Sequence, residues 1–158
     1  MAKAGYSAPI GAAVALVAAT AKTVLGVLAP AQFGVDWTSW SVGFDGVSAT
    51  NTPVLVELCA CTFATNPPGT NSTTITVQQD YGRAIVAGFT AAYGWTAANE
   101  PTVITPFDSF TLTPNGGLVV RDFQFGRTPD SPVSQGFCIR CTAGAAVNVR
   151  GNMYFERI

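Results

Sequence analysis

The stretch Asp36-Trp-Thr-Ser-Trp-Ser-Val-Gly-Phe-Asp45 decides the fold. Apolar and small polar side chains alternate along it, with Trp40, Val42 and Phe44 on one side and serine, glycine and aspartate on the other. Successive side chains of a strand point to opposite faces, so this period of two predicts a β-strand with one buried face. The opposite face is then wet or covered by a polar partner. Asp45-Gly46 predicts a turn directly after the strand.

Two further segments show the same period. In Val54–Thr62, the residues Val54, Val56 and Leu58 share one face, and the other face is partly apolar, which predicts a central strand. The last strand is predicted over Ala146–Glu156. Its inward side is predicted to carry Val147, Val149, Met153 and Phe155, and its outward side Asn148, Arg150, Asn152, Tyr154 and Glu156.

The remaining sequence is rich in Val, Thr and Phe and is divided by Gly and Pro, which favours strands over helices. Further strands are predicted at Thr23–Ala29, Ser72–Gln78, Val103–Thr113, Leu118–Phe125 and Gln135–Thr142, with Arg83–Ala92 as a strand or a short helix. The threonines of Ser72–Gln78 suit an edge or an exposed face. Pro114-Asn-Gly-Gly117 predicts a hairpin. The predicted fold is therefore all-β, a β-sandwich or jelly-roll-like single domain of about eight strands over residues 20–158.

Residues 1–19 are predicted to form an N-terminal arm or a first strand. The Ala-rich stretch Ile10–Ala19 resembles the apolar part of a signal peptide, but Pro9 and Gly11 interrupt it. It is too short and too weakly apolar for a bilayer, which needs about 20 strongly apolar residues. No membrane is therefore expected as a partner. As an arm, the segment is expected to contact an underlying surface or a neighbouring copy of the chain.

The chain of 158 residues is 48% apolar but only 11% charged, with a net charge of −1. An ordinary soluble domain carries roughly 25% charged residues. The eight Lys and Arg are scattered and balanced by nine acids, so nucleic acid is not an expected partner. Either the surface is the neutral, Thr-rich surface of many β-proteins, or partners cover much of it in an assembly. We favour the assembly.

The chain contains no histidine, which excludes Ser-His-Asp and Cys-His catalysis and most catalytic zinc sites. Cys59-Ala-Cys61 and Cys138-Ile-Arg-Cys141 are the only spacing typical of a metal site. On extended strands, however, Cys59 and Cys61 share a face whereas Cys138 and Cys141 do not. Buried free cysteines are the leading interpretation. One disulfide between the two segments remains open if their strands pair.

Residue types alone suggest two other kinds of candidate site. A pair of carboxylates would serve glycoside hydrolysis, but the sequence alone brings no two of the candidates together. These candidates are Asp36, Asp45, Glu57, Asp108 and Asp122. A platform of aromatic rings would bind carbohydrate, although core packing is the commoner role of such residues. The candidates for that platform are Trp37, Trp40, Tyr93 and Trp95.

Several stretches, in their order and spacing, resemble a family of small phage-encoded virion proteins found in phages of actinobacteria and related hosts. Together they cover about four fifths of the chain. They are Ala19–Pro30, Ser41–Val47, Pro53–Leu58, Leu112–Gly117 and Thr142–Arg150 leading into Tyr154–Glu156.

The resemblance implies a β-sandwich subunit on the outer surface of a phage capsid, where it decorates or cements the shell. Its expected partners are the major capsid protein and its own copies, with a trimer favoured. The resemblance implies no catalytic residues, and the chain is not expected to be an enzyme. The residues themselves lead us to expect no cofactor and no metal. The alternative is a carbohydrate-binding β-sandwich module of a phage tail or fibre that attaches to the host surface.

Overall fold

The structure, a computed structural model, describes residues 4–45 and 51–158, which form thirteen strands and no α-helix. In the described chain, therefore, no helix is long and apolar enough to cross a membrane. In chain order the strands are β1 (Gly5–Pro9), β2 (Val14–Leu16), β3 (Ala21–Leu28), β4 (Val35–Asp45), β5 (Val54–Thr62), β6 (Thr73–Ile75), β7 (Gln78–Tyr81), β8 (Thr90–Tyr93), β9 (Ile104–Leu112), β10 (Val119–Asp122), β11 (Asp130–Ser131), β12 (Gln135–Ala143) and β13 (Val147–Arg157).

The strands form two antiparallel sheets. The front sheet has the order β10-β4-β13-β1-β7, with β11 also paired to β4 and β2 also paired to β13. The back sheet has the order β6-β8-β3-β12-β5-β9. The predicted all-β sandwich is confirmed.

The strand order is that of a jelly roll. The eight strands β1, β3, β4, β5, β9, β10, β12 and β13 can be counted from one to eight along the chain. The front sheet then has the order 1-8-3-6 and the back sheet 2-7-4-5, the arrangement produced by two Greek keys. The segment between β5 and β9 adds β7 to the front sheet beside β1, and β8 and β6 to the back sheet beside β3.

The main core lies between the two sheets and is rich in aromatic rings. Trp37 of the front sheet lies 5.3 Å from Phe137 of the back sheet, measured between ring centroids. Trp40 stacks on the ring of Phe110 at 5.1 Å. Both tryptophans are fully buried, and burying one large apolar side chain stabilises a fold by roughly 1.5–3 kcal/mol.

The alternating patterns predicted the buried faces correctly. Trp40 and Val42 of β4 are buried, and Phe44 is half-buried against the same core. In β5 the three predicted inward residues are buried, and the strand pairs with β12 on one side and β9 on the other. All four residues predicted to face inward in β13 are buried. The turn predicted at Asp45–Gly46 falls on residues that the structure does not describe beyond Asp45.

The predicted hairpin at Pro114–Gly117 is wrong. A tight 3-10 turn does form at Pro114–Gly116, and Gly117 has the positive φ of 81° that glycine tolerates. However, β9 before it pairs with β5 in the back sheet, and β10 after it pairs with β4 in the front sheet. The local turn signal was correct, but the partners of the two strands are set by distant residues.

The segment between β5 and β9 departs most from the prediction. Only Thr90–Tyr93 of the predicted Arg83–Ala92 element forms a strand, and residues 82–89 form an irregular connection. The predicted strand Ser72–Gln78 is divided between β6 and β7, which lie in different sheets. β6 and β7 each lie at the edge of their sheet, as the polar content of Ser72–Gln78 indicated.

The described part of residues 1–19 is built into the front sheet as strands and is not a free arm. β1 lies between β13 and β7, and β2 pairs with β13 further along. Tyr6, Ala8 and Leu16 are buried in the main core. Of the two predicted alternatives, an arm or a first strand, residues 4–19 follow the second and do not extend from the domain as an arm.

Candidate functional site: the outer face of the front sheet

The four cysteines do not form a metal site. Cys59, Cys61 and Cys138 belong to a cluster outside the back sheet, whereas Cys141 lies in the core between the sheets. Because β5 and β12 pair, Cys61 and Cys138 are joined as a disulfide with their Cα atoms 6.4 Å apart. The described residues contain no group of three or more side chains suited to a metal ion.

The two free cysteines are unreactive. Cys59 and Cys141 are both fully buried. Burial raises the pKa of Cys59 to about 12 and raises the pKa of Cys141 further above the ordinary range. A buried thiol with a raised pKa is neither nucleophilic nor a good metal ligand, since the thiolate is the reactive form. These two residues act as small apolar side chains in the core.

The candidate carboxylates are scattered. Glu57 forms an ion pair with Arg140 at 2.7 Å, and Asp108 forms one with Arg121 at 2.6 Å. Asp45 and Asp122 are exposed. These four acids converge on no common cavity, and ion pairing or solvation explains each of them.

Asp36 belongs to the one carboxylate pair that the described structure brings to a cavity. It lies directly opposite Glu156 in the register of β4 and β13, and both side chains are buried. Tyr81 donates a hydrogen bond from its hydroxyl to Glu156. Sequence analysis missed this pair, because 120 residues separate its members and no local pattern links them.

The tryptophans do not form a carbohydrate platform. Trp37, Trp40 and Trp95 are 0–1% exposed, and Tyr93 is half-buried. The exposed aromatic side chains of the described residues are Tyr81, Phe107 and Phe125, none of which was a candidate. The three tryptophans serve packing, the commoner role noted for them.

The outer face of the back sheet is covered by the chain itself; we call it the covered face. Two loops, residues 63–72 and 94–103, lie over it, and Phe63 and Trp95 pack against the cysteines. The indole nitrogen of Trp95 donates to the carbonyl of Asn66 at 2.9 Å. Gly26 leaves room for the Trp95 ring, since a Cβ at this position would lie 3.0 Å from it. A small second core therefore closes this side of the molecule.

Within residues 4–45 and 51–158, nothing comparable covers the outer face of the front sheet; we call it the open face. The inward residues of β1, β4 and β13 belong to the main core, so the residues between them face out. Among the described residues no hydrophobic cluster forms on this side. The open face consists of Gly5, Ser7, Pro9, Ser39, Ser41, Gly43, Val120, Asp122, Arg150, Asn152, Tyr154 and Glu156.

The open face is flat at its centre and charged at its two ends. Ser41 lies opposite Val120 on one side and Asn152 on the other, and Asn152 lies opposite Pro9. Arg150 and Asp45 are exposed at one end of the face, and the largely buried pair Asp36 and Glu156 lies at the other end. The small side chains at the middle, of which Ser7 and Ser41 are buried between larger neighbours, keep this part of the sheet flat.

The acidic end of the open face contains a cavity of about 370 Å³, lined by Asp36, Thr38, Tyr81, Phe123, Phe125, Gly126, Thr128 and Glu156. The pKa of Tyr81 is raised to about 12 by partial burial, by its hydrogen bond to Glu156 and by neighbouring carboxylates. The phenol therefore stays protonated at neutral pH and acts as a hydrogen-bond donor. Phe125, at the rim, is 99% exposed.

The side chains around this cavity are suited to binding another molecule. Carboxylates and a protonated phenol hold cationic or hydrogen-bonding groups, and the apolar rim offers an anchor for another side chain. The candidate site is therefore an interaction surface that spans the whole open face. Comparison of the chain with family models, with curated proteins and with solved structures finds no match.

Proposed function

We propose that this protein is a structural subunit of a virion, which decorates or cements a phage capsid by binding the major capsid protein and its own copies. The observation that carries the proposal is the contrast between the two outer faces. The covered face is closed by the chain's own loops, whereas the open face of the described chain presents a flat sheet with an uncharged centre and charged ends. The jelly-roll fold occurs in capsid proteins but also in lectins and cupins, so the argument depends on this surface.

Exposed apolar side chains beside the open face support the proposal. Val120 is 57% exposed, Leu118 is 67% exposed, and Phe125 projects almost completely into solvent. Leu118 lies beside Gly43 of the open face, where a Cβ added to the glycine would come within 3.5 Å of it. Leu118 and Val120 form a small exposed apolar group near one end of the face, with Phe125 at the other end, and exposed apolar groups bordered by polar side chains are typical of protein interfaces.

The rest of the molecule supplies the rigidity that a cementing subunit needs. The disulfide joins adjacent strands of the back sheet, and a second core closes the side away from the open face. A rigid surface loses little conformational entropy on binding. When many copies bind a symmetric shell, weak contacts add up to firm attachment.

Co-sedimentation with capsids of the phage that carries this sequence tests the proposal. We expect saturable binding of the wild-type chain, lost in Val120→Arg, which places a long cation beside the centre of the open face at a position that is 57% exposed. Thr70→Arg is the matched control, because Thr70 is exposed in a loop over the covered face. Both variants should unfold at nearly the wild-type temperature. Absence of wild-type binding, or equal binding by both variants, would contradict the proposal.

The alternative function is a carbohydrate-binding module. The three tryptophans predicted to bind the sugar are buried, so they cannot contact it. Such a module would have to use Phe125 and Tyr81 beside the acidic cavity. A glycan array distinguishes the two functions. Binding to a sugar that Phe125→Ala abolishes, without binding to capsids, would replace our proposal with this one.

A further inference from the structure

We infer that the open face is self-complementary, so that two copies of the chain pack front sheet against front sheet. In this arrangement Arg150 of each copy meets the Asp36 and Glu156 end of the other. The inference rests on the proposed function and deepens it, because it names the surface through which copies of the subunit associate.

The first argument is the position of the charges along β13. Arg150 and Glu156 point to the same side of the strand and are six residues apart, which is about 20 Å at the rise of an antiparallel strand. We place a two-fold axis midway between the two facing sheets, perpendicular to the strands and at the level of residue 153. Rotation about this axis sets β13 of one copy against β13 of the other with the strand direction reversed. It therefore brings Arg150 of each copy to the acidic end of the other copy, and both contacts form at once. Such an isologous contact closes after two copies.

The second argument is the polar group near that axis. The side-chain oxygen of Asn152 is shielded from solvent and has no hydrogen-bond partner in the described structure. In the two-fold arrangement Asn152 faces Tyr154 of the other copy, and turning the amide outward allows its oxygen to accept from that tyrosine hydroxyl. An unsatisfied buried acceptor is unfavourable. The pairing supplies the missing partner twice, once on each side of the axis.

The third argument is the shape of the face and the apolar residues beside it. Gly43, Ser41 and Ser7 keep the centre flat, which lets two sheets approach to about 10 Å. Leu118 and Phe125 border the same side of the face, at the arginine end and the acidic end respectively. The two-fold operation places Leu118 of one copy beside Phe125 of the other, so both exposed side chains lose contact with water.

The dimensions predict a modest affinity. Five strands and about six residues along each give a face on the order of 20 by 20 Å. The buried area of both copies together is then on the order of 1,000 Å², near the lower limit for a specific interface. We therefore expect the pair to form at high concentration in solution and to be reinforced on a shell that carries many copies.

Sedimentation velocity over a wide concentration range tests the inference on the intact chain. We expect reversible dimers of the wild type, weakened by high salt because the contacts at both ends are ionic. Arg150→Glu should raise the dissociation constant by at least about tenfold, since two contacts become repulsive. Arg150→Lys should retain most of the association. Arg150 is exposed, so neither change should alter the fold.

The outcomes separate this inference from the proposed function. A wild-type chain that stays monomeric but binds capsids would overturn the two-fold pairing and leave the proposed function standing. A stable trimer, as the resemblance implies, that persists in Arg150→Glu would also overturn the pairing. Dimers sensitive to Arg150→Glu, together with no capsid binding, would support the pairing and contradict the proposed function.

Discussion

The outer faces of the two sheets differ in what lies over them. On the covered face, Trp95 and Phe63 lie over the cysteines, and Glu100 accepts hydrogen bonds from the backbone and side chain of Thr23. On the open face, Ser41, Asn152 and Pro9 lie in a row across three strands, and the described residues form no hydrophobic cluster above them. The chain's own loops thus close one side, and the described chain does not close the other. Changes on the covered face should lower stability, whereas changes on the open face should lower association.

Trp95→Ala should have the largest effect on stability. Trp95 is fully buried and holds the second core together, and truncating such a side chain costs about 3–5 kcal/mol of unfolding free energy. Chemical denaturation measures the change. Phe125→Ala is the matched control on the open side, and it should leave stability nearly unchanged because its ring is exposed. Equal unfolding free energies of the two variants would show that the second core does not contribute to the stability of the whole domain.

Removal of the disulfide should rank second. Cys61 and Cys138 are 77 residues apart, and closing a loop of that size stabilises a fold by roughly 2–4 kcal/mol. Cys61→Ala, or reduction of the wild type, should lower the melting temperature accordingly. Under denaturing, non-reducing conditions a thiol reagent should count two free cysteines. A count of four would mean that the bond does not form.

Glu100→Ala should have a smaller effect on the same face. The Glu100 carboxylate accepts from the backbone nitrogen of Thr23 at 2.8 Å, and also from its hydroxyl. Both groups of Thr23 lose their partner in the variant, and a buried donor left unsatisfied costs about 1–3 kcal/mol. Denaturant midpoints would measure the loss. Wild-type stability of the variant would mean that water replaces the carboxylate.

The pH dependence near the acidic end of the open face should be the smallest effect. The pKa of Tyr81 is raised to about 12 in the folded protein, against about 10 for an ordinary tyrosine. The folded state therefore holds this proton more firmly than the unfolded state does. Its contribution to stability is complete below about pH 10 and is lost as the pH rises towards about 12. Ultraviolet titration curves of the wild type and Tyr81→Phe should differ by one phenol that ionises near pH 12, and a difference centred near pH 10 would contradict this.

The faces of the long strands were predictable from the sequence because period-two alternation is a local property. Val54, Val56 and Leu58 in β5, and Val149 and Met153 in β13, were all placed correctly. The predicted strand Val103–Thr113 corresponds to β9, whose place at the edge of the back sheet tolerates Pro106. The all-β class and the sandwich follow from these patterns together with the frequent turn residues.

The pairing of distant residues was not predictable from the sequence. The Gly-rich turn after β9 gives no information on whether the next strand joins the same sheet or the other one. Asp36 and Glu156 become neighbours only because β4 and β13 pair. The covered face depends on Trp95, which looked like a ligand-binding candidate until the fold placed it over the cysteines. In each case the decisive interaction is long-range.

Hydroxyl-radical footprinting of the free and assembled protein tests the central claim most directly, because it measures the solvent accessibility of single side chains. Val120 and Phe125 beside the open face and Val103 in a loop over the covered face are all exposed in the single chain. We predict that on capsids, or at concentrations where copies associate, Val120 and Phe125 become protected while Val103 is labelled as before. Protection of Val103 with undiminished labelling of Val120 and Phe125 would contradict the account.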